Sequence, residues 1–363
     1  MRLFEETLRE IHPGDKGAEK KAWDRLNGLT KPIGSLGELE CIAAKFAGIT
    51  GKVYNKIEKK NIVIMCGDNG VVEEGVSSCP QELTYIVTNN FTRGITGVNV
   101  LAKFYNSDIT VVDVGVKKKI NNPKVIDKRV MEGTNNIVKG PAMTREQCIE
   151  AIEAGIDIVE KLVKNGYSVL GTGEMGIGNT TTSAAVISAI TGLSVEKTTG
   201  KGSALTSDAF ENKKRVIETA LEINKPDKND IVDVMSKVGG LDIAGLCGVF
   251  LGGARYKVPV VIDGIIASAA ALCAYKLNEN VKDFMFPSHL SAEPGAIYVM
   301  KEIGLTPMLN MRMRLGEGSG CPLAFSIIES ALYTIENMGT FDDANIVTDY
   351  LIDYEGNKVK NEN

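Results

Sequence analysis

Four short apolar runs recur along this chain, at 61–66, 108–114, 167–170 and 258–262, and each is followed by a small or acidic cluster. A continuous apolar run of this length reads as a strand buried on both faces. Helical patterns lie between and around the runs, at 83–103, 144–165, 180–191 and 230–245. The alternation predicts parallel β-α-β units wound into one open, mainly parallel sheet with helices on both faces, an α/β fold. In such a sheet ligands bind outside the carboxyl ends of the strands. The clusters there are Gly67-Asp68-Asn69-Gly70, Asp113-Val114-Gly115, Gly171-Thr172-Gly173-Glu174 and Asp263-Gly264, and they are expected to converge.

At 363 residues the chain suits one large α/β domain with a smaller appendage. Residues 31–300 are expected to form the large domain. Residues 1–30 and 301–363 are more charged, helical and lack the strand rhythm, so a small helical domain built from both termini is expected. The polar tail 353–363 is expected to fray.

A net charge of −5 without a long basic run argues against a nucleic-acid groove. Seven cysteines, an odd total with no Cys-x-x-Cys pair, fit a reducing compartment. The charged start and the lack of a long apolar segment predict a soluble cytoplasmic protein without a membrane span. His12 and His289 have no second histidine or cysteine at ligand spacing, so neither a metal site nor a cofactor is expected.

Two glycine-rich acidic loops stand out. In Arg312-Met313-Arg314-Leu315-Gly316-Glu317-Gly318-Ser319-Gly320 the glycines permit positive φ and close approach to a ligand, with Glu317 presented among them. A plain turn joining two elements is the alternative. The second loop, 171–182, follows a strand and opens a helix, which aims free N–H groups and a positive dipole end at an anion. Gly173, Gly176, Gly178, Asn179 and Thr180 are its candidate phosphate contacts, against the plainer reading of a capped helix start. It contains Gly-x-Gly-x-x-Gly, but mid-chain and without an acidic-tipped strand about 20 residues on, so it is a weak dinucleotide fingerprint. Asn179-Thr180 where Lys-Ser or Lys-Thr would be needed excludes a Walker A loop.

Gly200-Lys201-Gly202-Ser203 and Lys213 offer cations near flexible backbone, with a solvated surface as the alternative. The polar stretch 67–82 reads as a binding loop or a mobile excursion. Residues 288–295 form a further loop, in which His289 reads as a structural histidine and Pro294-Gly295 as a turn.

Together, Thr30-Lys31-Pro32-Ile33-Gly34-Ser35-Leu36-Gly37, Gly67-Asp68-Asn69-Gly70-Val71, the 173–181 loop, 289–295 and Arg314-Leu315-Gly316-Glu317-Gly318-Ser319-Gly320 resemble one family, in order from about Trp23 to about Glu336. It is nicotinate-nucleotide:dimethylbenzimidazole phosphoribosyltransferase, of cobalamin lower-ligand assembly. The resemblance implies a doubly wound α/β domain plus a small helical domain, working as a homodimer on nicotinate mononucleotide and a benzimidazole. It implies Glu317 as catalytic base and the 173–181 loop as holder of phosphate and ribose. Beside it, Glu174 reads as a second carboxylate that stabilises charge on the ribose. Gly202, Ser203, Lys213, Asp263, Ser291 and Arg314 read as phosphate or ribose contacts, and Ser78, Gln81 and Leu315 as the base pocket. Asn69 departs from the family's Gly-Asp-His-Gly and is read as shaping its loop. The rival readings are a dinucleotide-dependent oxidoreductase, resting on the Gly-x-Gly-x-x-Gly match, and a nucleotide-binding regulator.

Overall fold

The computed structural model describes residues 3–202, 205–348 and 351–352; Ser203 and the tail 353–363 lie outside the described residues. Helices α1 (Leu3–Glu10), α2 (Lys16–Asn27) and α3 (Glu38–Thr50) lead into β1 (Lys60–Gly67). Helices α4 (Leu83–Phe91) and α5 (Gly97–Phe104) precede β2 (Asp108–Gly115) and β3 (Val125–Asp127). Helix α6 (Arg145–Lys164) leads to β4 (Val169–Met175), followed by α7 (Asn179–Thr191), α8 (Val195–Thr198), α9 (Ser207–Asn224), α10 (Ile231–Val238) and α11 (Leu241–Arg255). Then come β5 (Val260–Ile262), α12 (Ile265–Leu277), β6 (Met285–Pro287), α13 (Gly295–Ile303) and α14 (Cys321–Asn337).

The strands lie in the order β3-β2-β1-β4-β5-β6, and every pairing is parallel. The winding direction reverses between β1 and β4, which opens a crevice above their carboxyl ends. The α/β sheet expected from the apolar runs is therefore present. Strands β3 and β6, three residues each, lie outside the four apolar runs, whereas the equally short β5 falls within the run 258–262.

Three expectations need correction. The single helix over 83–103 is two, α4 and α5, divided where Gly94 adopts φ +77 and Asn99 Oδ1 accepts the Thr96 N–H at 3.3 Å to start the second. The helix over 230–245 breaks at Gly239, whose extended backbone separates α10 from α11. Strand β4 does not stop at Leu170 but continues to Met175, with Gly171 opposite Ile62 and Gly173 opposite Ile64 of β1.

Glycines weaken a strand, so their presence inside β4 calls for a packing reason. A Cβ on Gly171 would lie 2.6 Å from the Cβ of Cys321, and one on Gly173 only 2.3 Å from the Glu317 carbonyl oxygen. The start of α14 and the turn before it therefore rest directly on bare sheet. Helix α11 packs on β1, β2 and β4 and is backed by α6. At the ends of the chain, α2 packs on α3 and α14, and Arg25 donates to the carbonyls of Ile335 (3.2 Å) and Met338 (2.8 Å). The 30–37 segment is fastened by a buried ion pair between Lys31 and Glu40 at 2.8 Å, and Glu40 also accepts the Leu36 N–H at 2.9 Å.

Gly171→Ala forces a methyl into the β4–α14 contact and is expected to cost about 1–3 kcal/mol, as overpacking does. Urea unfolding checks it; an unchanged midpoint would mean that α14 is not pressed on the strand.

Candidate functional site

Above the carboxyl ends of β4 and β5 lies a cavity of about 340 Å³. Strand β4 supplies Glu174 and Met175, the connection to α7 supplies Gly176, Ile177 and Gly178, and the start of α7 supplies Asn179 and Thr180. Gly264, Ile265 and Ile266 enter after β5, with Ser291, Glu293 and Gly202 beside them. Arg314, Leu315, Gly316 and Glu317 form a further wall, completed by apolar Val76, Leu83 and Val87. The size and the mix of apolar wall with few polar groups are those of a small-molecule site.

Most of the residues singled out in the sequence thus meet here. Gly173 lies beneath the Glu317 turn, and Asp263 and Lys213 back the walls without lining them. Ser78 is not on the wall, although its neighbours Ser77 and Cys79 are. Gln81 lines a different depression with Glu73, Lys117 and Asn136. The convergence expected of four clusters holds for two of them. Asp113 is used by its own loop, accepting the N–H groups of Gly115 (3.0 Å) and Val116 (2.8 Å), because β2 lies one strand away from the crevice. The 67–70 cluster passes under the α7 connection, where buried Asn69 accepts the Thr182 hydroxyl at 3.3 Å.

Glu317 sits in a left-handed conformation, φ +62, between Gly316 at +80 and Gly318 at +92. For a residue with a side chain this costs roughly 1–2 kcal/mol, so other contacts must impose it. Buried Asp263 accepts the N–H groups of Gly318 (3.0 Å) and Gly320 (2.7 Å), and Glu174 Oε1 accepts that of Glu317 at 3.4 Å. The half-buried Glu317 carboxylate accepts the Val98 N–H at 3.1 Å, at the start of α5. That contact favours the ionised form, but burial outweighs it and holds the carboxyl above its ordinary range.

Three buried carboxyl groups crowd together at and behind the cavity wall. Burial, then repulsion from Asp242, pushes Glu174 up to about 8, against an opposing hydrogen bond from Asn179. Burial pushes Asp263 to about 7, although backbone N–H groups hold it, and Asp242 to about 6. On the other side, fully buried Lys213 donates to Thr180 Oγ1 (2.7 Å) and the Gly200 carbonyl (3.1 Å), and burial lowers its amine to about 8. His289 contacts Ser288 Oγ at 2.9 Å, and burial lowers its pKa. Its enclosed position agrees with a structural role. Chemically, the site combines an amine and a helix start suited to an anion, carboxyl groups suited to developing positive charge, and an apolar wall suited to a flat ring.

Two buried acids escaped sequence reasoning. Glu293 accepts the Gly202 N–H at 3.1 Å, and Asp242 lies at the start of α11. The adjacent Gly239-Gly240 was the available signal for Asp242, since it marks a helix start. The Gly-x-Gly-x-x-Gly match loses its meaning here, because Gly171 and Gly173 lie inside β4 and do not form a turn after a first strand.

Comparison with known proteins gives one answer. A family model described as phosphoribosyltransferase matches residues 11–346. The nicotinate-nucleotide–dimethylbenzimidazole phosphoribosyltransferase of Clostridium tetani is 58% identical over 97% of this chain and 98% of its own, and that of Clostridium acetobutylicum is 51% identical over 94% and 97%. The crystal structure of CobT from Thermus thermophilus superposes with a TM-score of 0.88 at 34% identity, covering 91% of this chain and 99% of that one.

The crowded acids set a stability profile. Unfolded, these carboxyl groups lose their protons near pH ~4, whereas folded Glu174 and Asp263 keep theirs to about 8 and about 7. Between those limits the folded state binds more protons, so stability must fall as pH rises. The melting temperature of the ligand-free protein is expected to drop from about pH 6 to about pH 7, below the range in which Lys213 and Lys45, whose amines burial lowers to about 8, contribute the opposite slope. Glu174→Gln should flatten the drop; a wild-type curve that rises over this window would refute the buried protons.

Proposed function

The chain belongs to the nicotinate-nucleotide–dimethylbenzimidazole phosphoribosyltransferases, enzymes of cobalamin lower-ligand assembly, and within that activity we propose the role of each group in the cavity. The substrates are nicotinate mononucleotide and 5,6-dimethylbenzimidazole; the products are α-ribazole 5′-phosphate and nicotinate. Cleavage of the bond between C1′ and the pyridinium nitrogen returns the electron pair to that nitrogen, so nicotinate departs neutral at its ring. A benzimidazole nitrogen attacks C1′ from the opposite face, which inverts β to α. Its other N–H must then lose a proton, and Glu317 accepts it.

The observation that carries this reading is Glu317 itself. Its carboxylate stands on an imposed left-handed turn, in one cavity with an apolar wall and the start of α7. Raised basicity from burial makes it the better proton acceptor. The phosphate is assigned to Gly176, Gly178 and Thr180, with Gly202, Ser291 and Arg314 at hand and Lys213 supplying charge through the loop. Ionised Glu174 stabilises positive charge building on the ribose. With a pKa of about 8 only roughly a tenth of it is ionised at pH 7 in the ligand-free protein. The flat base is placed against Val76, Leu83, Val87 and Leu315. The role of Asp263 is to hold the Glu317 turn.

Two broader assignments belong to the same reading. The large domain is taken as 31–300 and the small one as both termini, supported by the packing of α2 on α14, although α3 also packs against this helical unit. The working form is taken as a homodimer in the cytoplasm. Val100 and Phe104 on α5, 61% and 76% exposed and one helical turn apart, give an apolar face for a second copy.

Nicotinate release from nicotinate mononucleotide, followed by chromatography with and without dimethylbenzimidazole, tests the chemistry. Release should depend on the base, and Glu317→Gln should lower kcat by about 10²- to 10⁴-fold. Full activity in that variant would remove Glu317 from its role. Light scattering tests the assembly: wild type should have the mass of two chains and Phe104→Asp of one, and a monomeric wild type would refute it.

A further inference from the structure

Asp242 lies outside the cavity wall, yet it is tied to it through a single side chain. Asn179 Nδ2 has two hydrogens; one goes to Asp242 Oδ2 at 3.0 Å and the other to Glu174 Oε2. Glu174 in turn accepts the Glu317 N–H through its second oxygen. Asp242 is itself held, its Oδ1 accepting the Ile243 N–H at 3.0 Å at the start of α11. The space around it is closed: a Cβ on Gly176 would come within 2.9 Å of Asp242 Oδ2, and one on Gly240 within 2.4 Å of Oδ1. These contacts form a line from α11 across the helix start of α7 to the strand end of β4 and the Glu317 turn.

We propose that Asp242 is a positioning residue for the transfer reaction, orienting Asn179 so that Glu174 faces the ribose. The proposal rests on the role given to Glu174 above. A buried acid at this place would otherwise be a liability, since an ionised carboxylate without a cation partner destabilises the fold. Its charge raises the pKa of Glu174, after the larger effect of burial. Other charged groups around the pair are Asp263 and the Glu317 turn on the Glu174 side and Asp68 on the Asp242 side, with Glu293 and Arg314 on the cavity wall. Glu317 responds instead to burial and to Thr96, Gly97 and Val98. A change at Asp242 therefore reads out on Glu174.

The test is the pH dependence of kcat/KM for nicotinate release in wild type, Asp242→Asn, Glu174→Gln and the double variant. Asp242→Asn keeps an oxygen for Asn179 but removes the charge, so Glu174 should ionise more easily. The rising limb of the profile should move to lower pH by roughly half a unit to one unit. In the Glu174→Gln background the same change should leave the limb in place, because coupled residues are not additive. Asn179→Ser removes the hydrogen-bonded link but leaves both carboxyl groups, so Asp242→Asn should still move the limb in that background, while kcat falls because Glu174 is no longer oriented. A limb that stays put in the single variant, or that moves equally in the wild-type and Glu174→Gln backgrounds, overturns the proposal. Infrared titration of the protonated Glu174 carboxyl, assigned by its loss in Glu174→Gln, gives a readout independent of turnover. If wild type released no nicotinate, the reaction reading would fail, while an unshifted Glu174 titration in Asp242→Asn would still refute the link and a shifted one uphold it.

Discussion

The contact between bare strand and glycine turn governs this molecule. Gly171 and Gly173 present no side chain toward α14, so the Glu317 carbonyl can lie closer to the sheet than any substituted residue would permit. That approach brings the turn within reach of Asp263 and Glu174, whose carboxyl oxygens accept its N–H groups. Those bonds hold Glu317 at positive φ, where an unsupported residue would not remain. Strand, turn and carboxylates are thus one arrangement, and the direction of the Glu317 side chain follows from it.

The same closeness explains the electrostatics. Carboxyl groups from β4, from the end of β5 and from the start of α11 share one poorly solvated region, and burial dominates the shift of each. Fixed backbone N–H groups offset part of that penalty without bringing in water. A site built in this way holds its hydrogen-bonding groups in place before a ligand arrives, which is how a protein stabilises developing charge without reorganising at the moment of reaction. Lys213 follows the same logic with the opposite sign, its amine buried and held by Thr180 Oγ1 and the Gly200 carbonyl.

Much of this could be read from residue order. The apolar runs located β1, β2, β4 and β5, and the glycine loops picked out Glu317, Glu174 and the α7 start as neighbours of one site. The reading failed where the signal was short or depended on a distant partner. Strands β3 and β6 are short and lie outside the apolar runs that marked the other strands. Gly171 and Gly173 looked like loop glycines, because glycine inside a strand is uncommon unless another segment presses against it. Gln81 belongs to the right stretch of chain but lines a neighbouring depression, since loop sequence does not fix side-chain direction.

By itself the sequence determined the parallel α/β architecture, through alternating apolar and helical patterns, and the identity of the groups available for chemistry, through its two acidic glycine loops. Tertiary structure alone decided how those groups relate. It brought Asp242 from α11 to Asn179 on α7, joined Glu174 to the Glu317 turn across 143 positions of sequence, and buried all of them together. The physical reason is that periodicity and turn chemistry act over a few residues, whereas burial and hydrogen bonding between remote segments exist only once the sheet and its covering helices have closed around them.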